Sequence, residues 1–329
     1  MNLLKTGPTA RCFVATAFLA IGVSVGDSSE QGTPQDLQVI KENGVVRIVT
    51  GRNSPLLAYA FGDVPFKPYI RELFTPGGVQ VLRDSPSDHK HHHALMFATS
   101  ADGTDFWSET PTCGRQSTSD TVETKAESLS DRAHRTSRAS FRFEVQWQRP
   151  DRIPVLNEKR IIVAYGGDDL PMTLITWQSR LEPPRAEGVV TLTGAHYVGL
   201  GMRFVTSMDN GGRFITPEGK QGDVVRGTER VTPAPWCAYA ASAQGKPVTV
   251  ALFDHPGNSR HPAPMFTMTA PFAYLSATLN LWKTPFVIQA GNPVVLRYGV
   301  AAWDGQVDPT AVAKAYERWL QLEGLPGDR

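Results

Sequence analysis

The segment SFRFEVQWQR, residues 140–149, sets Phe141, Phe143, Val145 and Trp147 in alternation with Arg142, Glu144, Gln146 and Gln148. Successive side chains of a strand point to opposite faces, so this order predicts a strand with one buried and one wet face. Comparable runs recur as VVRIVTG, GVQVLRD, KRIIVAYG, MTLITWQSRL, VVTLTG, MRFVTS, PVTVALFD, FTMTAP and VVLRYGVAAW, separated by the turn-forming YGGDDLP, DNGG, AQGKP and QAGNP. The helical signal is confined to the end of the chain. There Asp308-Pro309 opens DPTAVAKAYERWLQLEG, with Val312, Ala315, Tyr316 and Trp319 on one face and Gly324 as its stop. Strands that follow strands without alternating helices predict an all-β antiparallel β-sandwich with a short C-terminal helix.

Residues 1–26 carry Lys5 and Arg11, then an apolar run from Cys12 to about Val25. This order predicts a signal peptide, and with it export to the periplasm or the extracellular space. The run is shorter than the roughly 20 residues of a membrane-spanning helix, and no other segment approaches a span. Residues 27–37 are expected to form a linker and residues 38–325 a single sandwich domain, with the polar stretch 116–138 as exposed strands or a long hairpin within it. Lys and Arg number 33 against 32 Asp and Glu, a formal charge of +1. With no long basic run interleaved with aromatics, nucleic acid is not an expected partner. Cys113 and Cys237 remain after the signal; an oxidising compartment permits them to pair, and their spacing does not decide whether they do.

Half of the 8 histidines lie in DSPSDHKHHHALMF, as His89, His91, His92 and His93. On an extended backbone His89, His91 and His93 share one face and His92 takes the other. Two imidazoles at that spacing suit a divalent metal, which makes His89, His91 and His93 the metal candidates, completed by His196, His255 or a carboxylate. Without a metal, histidines near neutrality serve as general acid and base. His89, His91, His255, His261 and Asp88 are the catalytic candidates. The second compact segment, DHPGNSRHP, supplies His255, Arg260 and His261, and convergence of the two segments on one pocket is expected. His92, His196, Arg203, Arg260 and Trp107 are the substrate-binding candidates, because guanidinium clamps oxygen ligands and indole stacks on sugar rings. Each also has a plain structural role open to it: solvated loop, surface strand or core aromatic. A Gly-rich phosphate loop in the right context and a nucleophilic serine elbow are both lacking.

The stretches GGVQVLRDSPSDHKHHHALMFA, DGTDFW, GLGMRF, DHPGNSRHPAPMF and VIQAGNPVVLRYGVAAWDG together resemble a family of exported bacterial proteins labelled methane oxygenase PmoA-like, over about residues 37 to 325. His89, His91, His92, His255, Arg260 and His261 match the family pattern. His93 and Ala94 stand where it has arginine and glycine, and Met265 where it has tryptophan, so no role of that arginine carries over. The label is not literal, since the methane monooxygenase subunit of that name is an integral membrane protein. The resemblance implies a supersandwich similar to galactose mutarotase, with a sugar-facing cleft. The leading expectation is therefore an exported carbohydrate-active enzyme, an epimerase, lyase or hydrolase acting on a sugar or oligosaccharide through its histidines. A non-catalytic carbohydrate-binding module and a metal-dependent oxygenase are the alternatives.

Overall fold

The face that alternation assigns to the core is buried: Phe141, Phe143, Val145 and Trp147 are each at most 2% exposed. They lie on the strand Arg135–Gln148, which pairs antiparallel with Pro154–Gly167 along nearly its whole length. The computed structural model describes residues 36–119, 122–130 and 134–324. The signal peptide and most of the 27–37 linker lie outside the described residues, and the linker's last residue already belongs to the strand Leu37–Glu42.

Among the described residues two large antiparallel sheets face each other. The first has 10 strands and runs in space through Leu37–Glu42, Val45–Thr50, Pro55–Ala60, Tyr69–Leu73, Leu95–Ala98, Gly199–Arg203, Tyr274–Thr278, Pro264–Met268, Glu229–Pro233 and Asp223–Arg226. The second has 9 strands, with Trp236–Ala243, Lys246–Asp254, Val294–Asp304 and Thr173–Glu182 beside the long hairpin. The described residues of the polar stretch 116–138 include this sheet's edge strand, where Glu123–Ser130 pairs with Arg135–Gln148. Val189–Thr193 anchors a third, 4-stranded sheet.

The two large sheets meet through aromatic contact. Tyr59 of the first packs its ring 5.2 Å from Phe141 and 5.2 Å from Phe143 of the second. One charged pair lies in this interior. Arg160 donates to Glu158 Oε1 and Oε2 (both 2.7 Å), to the Tyr59 hydroxyl, the Pro68 carbonyl and Gln116, so its guanidinium is satisfied without water. Such a pair is stable only as a complete set, because a buried charge left alone is costly.

The helix Pro309–Glu323 forms where its signals place it. Asp308 caps it by accepting from the Ala311 amide (2.8 Å), and Val312, Ala315 and Trp319 are buried against the outer face of the second sheet. Gly299 on that face is required, since a Cβ would come within 2.8 Å of the Trp319 ring. GVQVLRD departs from expectation: it makes only isolated bridges, in part because the Gln80 side chain itself accepts the Leu73 and Val81 amides. Cys113 and Cys237 are both buried and free, and burial pushes the Cys237 thiol up to about 12. No helix among the described residues is long and apolar enough to cross a membrane.

Candidate functional site

The histidine-rich segment is two successive turns rather than an extended strand. The His89 amide donates to the Pro86 carbonyl (3.0 Å) and the His92 amide to the His89 carbonyl (2.9 Å). The ends are tied by Ser85 N–H to His92 O (2.9 Å) and by a bridge between Asp84 and His93. Folding the chain this way gathers side chains that an extended backbone would divide. His92 is thus turned inward with its neighbours, and the imidazole centroids of His89 and His91 lie 4.8 and 4.6 Å from it.

These three imidazoles line a cavity of about 430 Å³ over the first sheet. Trp107, Tyr197, Phe266, Phe272 and Tyr274 form its aromatic walls, and Glu229 with Arg226 stands at its polar end. Glu229 Oε1 accepts from Arg226 (2.6 Å) and its Oε2 is 3.1 Å from His196 Nε2, so His196 positions the carboxylate and does not itself line the cavity. Asp88 sits half-exposed at the rim, 3.1 Å from His89 Nδ1 and 3.6 Å from Arg203 Nη2.

The environment holds two of the three imidazoles neutral. Burial lowers His91 below its ordinary value, with the Lys67 ammonium adding to the effect. Burial lowers His92 to about 2, with His91 and His89 contributing. A neutral imidazole in a cavity can accept a proton, which is what a general base requires.

His93 is the histidine that points away. Its Nδ1 lies 2.7 Å from Asp84 Oδ1 and its Nε2 2.8 Å from Glu109 Oε1, with its ring stacked on Tyr69. Burial alone would lower its pKa, but the hydrogen bonds it donates to the Asp84 and Glu109 carboxylates raise it. With an acceptor on each nitrogen, the ring serves as an imidazolium donating twice. Glu109 also accepts from the buried Lys67 ammonium (2.6 Å), and Lys67 donates to the Trp107 carbonyl (3.0 Å). This chain ties the turn to the aromatic wall. It also corrects the metal assignment, because His93 has no free nitrogen to offer a metal. The group of three potential ligands found among the described residues lies elsewhere, at His134, Asp168 and Asp169.

DHPGNSRHP does not join the cavity. Asp254, 1% exposed, accepts from His261 Nδ1 (2.6 Å), the Ala263 amide (2.7 Å) and Asn258 (2.7 Å). Arg260 donates to the carbonyls of Leu279, Thr284 and Pro285. Asn258 brackets Arg297 through the amide and the carbonyl of its backbone. The motif therefore closes a loop onto the second sheet, and its charged groups are consumed in doing so. His255 lines a separate cavity of about 910 Å³ on that sheet's outer face, beside Arg297 and Glu323. The expected convergence of His255, Arg260 and His261 with the histidine turn is thus replaced by two distinct places in the fold.

Residues 48–317 match a family of unknown function, DUF6807. The chain belongs to this family. The matched span includes the histidine turn, the aromatic walls and DHPGNSRHP, so both the candidate site and its structural counterpart are within the family domain. No curated protein matches the chain.

Of the sequence candidates, His89, His91, His92 and Trp107 meet at one cavity, Asp88 sits on its rim, and Arg203 lies one layer behind, over the Phe272 ring at 3.5 Å. Glu229, Arg226, Tyr197, Glu109 and Lys67 escaped sequence reasoning. Each is a single residue in an ordinary strand or loop, and only the Arg226–Glu229 spacing of three hints at a pair.

Proposed function

We propose that this cavity binds a sugar and that the protein is an exported carbohydrate-active enzyme, with His91 as its general base and His89 as the partner acid. The observation that carries this reading is the convergence of three imidazoles from one turn on a pocket walled by aromatic rings. Apolar ring faces stack on the C–H faces of a pyranose, while imidazole nitrogens and Glu229 meet its hydroxyls. A cavity of about 430 Å³ accommodates one or two sugar residues. The resemblance to PmoA-labelled proteins, and the galactose-mutarotase-like sandwich it implies, support a sugar-facing cleft. They do not choose among epimerase, lyase and hydrolase.

A non-catalytic sugar-binding module is the second reading, favoured by the same aromatic walls. The oxygenase reading has less support, because His93 is committed to two carboxylates. The test is a titration of mature protein with a panel of mono- and oligosaccharides, reading heat of binding and product together. The proposal expects a binder whose affinity falls at least tenfold in Trp107→Ala, and a product that disappears in His91→Ala while binding persists. Binding without any product supports the module; no binding across the panel overturns both.

A further inference from the structure

Trp282 is an indole that the fold holds out in solvent. It is 42% exposed, whereas every other tryptophan of the chain is at most 4% exposed. The loop that carries it is firmly anchored. The Lys283 and Thr284 amides both donate to the Asn280 carbonyl (3.1 and 3.2 Å), and the neighbouring Leu281 is buried. Arg260 clamps the same loop at both ends, donating to the carbonyls of Leu279 (2.6 Å), Thr284 (2.8 Å) and Pro285 (2.8 Å), with its guanidinium 5.0 Å from the Phe286 ring. A tryptophan on a fixed loop offers a flat apolar face whose ordering costs little conformational entropy.

The small sheet sets where this face lies. Leu192 and Phe286 are register partners at one end of the paired strands Val189–Thr193 and Phe286–Gln289, so the chain that follows the first and the chain that precedes the second emerge side by side. His196 and Trp282 lie on these two segments, with ring centroids 6.1 Å apart. From His196 the rings continue inward, to Tyr197 at 5.2 Å and from Tyr197 to Trp107 at 5.4 Å. Tyr197 and Trp107 are walls of the cavity, and His196 Nε2 is 3.1 Å from Glu229 at its polar end. Trp282 therefore stands outside the cavity, beyond the end that Glu229 and the largely exposed Arg226 mark.

We infer that Trp282 is an outer subsite and that the cavity's ligand is an oligosaccharide, with its inner residues between the histidine turn and the aromatic walls and a following residue stacked on Trp282. The inference rests on the sugar-binding reading above and adds the length of the substrate. A single exposed apolar residue is ordinary on a protein surface. Trp282 differs in having a loop clamped beneath it and a run of rings that joins it to the cavity. A cavity of about 430 Å³ holds one or two sugar residues, so a longer chain has to leave it, and Glu229 with His196 offers hydroxyl partners on the way to the indole. Lys283 Nζ, 4.7 Å from the Trp282 ring, is an exposed and weakly held cover that gives way to a sugar face. Arg260 is the positioning residue of this subsite, which links DHPGNSRHP to the cavity although its histidines stay outside.

The experiment is calorimetric titration of wild type, Trp282→Ala, Trp282→Phe and Arg260→Lys with cello-, manno-, xylo- and galacto-oligosaccharides, from the monosaccharide to the pentasaccharide. In at least one series the affinity of wild type should rise about tenfold from disaccharide to tetrasaccharide, and in Trp282→Ala that gain should fall to about twofold or less. Trp282→Phe should restore part of the gain, and Arg260→Lys, which keeps the charge without the fork, should lose most of it. Because the other tryptophans are buried, acrylamide quenching of fluorescence reads Trp282, and the tetrasaccharide should shield it where the monosaccharide does not. Equal affinity at every length overturns this inference and leaves the sugar-binding reading standing. A length gain kept in Trp282→Ala, or tetrasaccharide binding that leaves quenching unchanged, overturns it as well, and a full gain in folded Arg260→Lys overturns the role given to Arg260. Absence of binding in every series overturns the two readings together.

Discussion

His92→Gln should make the protein less sensitive to acid, although it removes a buried ring. Folded His92 stays neutral down to about 2 because of burial and the adjacent His91 and His89, whereas the unfolded chain binds a proton there below about 6.5. As pH falls from 6.5, the unfolded state therefore takes up a proton that the folded state refuses, and stability drops. At about 1.4 kcal/mol per pH unit, the loss at pH 4.5 is roughly 3 kcal/mol. Glutamine does not titrate, so the variant escapes this term. At pH 7 it should be the weaker protein, because it loses the ring contacts with Trp107, Phe272 and Tyr274. Urea denaturation of both proteins at pH 7.0 and 4.5 gives a double difference in which every other titrating group cancels. The expected value is about 2 to 3 kcal/mol in favour of the variant on acidification. A change below about 1 kcal/mol would refute the claim that His92 is buried neutral among its neighbours.

Three further outcomes follow from the same geometry. His93→Gln should lower stability by about 3 kcal/mol at pH 6, since it leaves Glu109 and Asp84 without their shared imidazolium. Because the His93 pKa is raised, that penalty should be full below about pH 6.5 and shrink as pH climbs through the folded value, which denaturation at pH 6 and 9 would measure. Phe143→Ala should cost about 3 to 5 kcal/mol in the same assay, as a large side chain removed from the inter-sheet core; a near-neutral effect would mean the face is not buried. Arg160→Met should cost about 3 to 5 kcal/mol by stranding Glu158, and the double variant with Glu158→Gln should recover part of that loss.

Much of the sandwich was legible because its signals are local. A period of two over residues 141–147 needs no knowledge of the partner strand to identify a buried face, and Asp308-Pro309 with Gly324 marks a helix by its own end groups. The histidine turn was legible as chemistry but not as shape. Its conformation depends on the Asp84–His93 bridge and on Glu109 and Lys67, which reach it from other parts of the chain. That is why His92, assigned to the outer side of a strand, faces the cavity, and His93, assigned to a metal, faces away. DHPGNSRHP misled for the opposite reason. Its charged residues are close enough in sequence to satisfy one another and nearby carbonyls, so their density reflects a closed loop. Glu229 carried no sequence signal, because a single polar residue on a strand looks the same whether or not a cavity lies above it.

The central claim is that His91, held neutral in the cavity, takes a proton from a bound sugar. Its most direct test is the rate of product formation at saturating sugar, measured from pH 4 to 8 in wild type and in His91→Ala. The account predicts a wild-type rate whose acid limb lies below pH 6.5, the ordinary histidine value from which burial lowers His91. It predicts a loss of about 10²-fold or more in His91→Ala, with sugar affinity changed far less. A His91→Ala enzyme that keeps both the wild-type rate and its acid limb would contradict it.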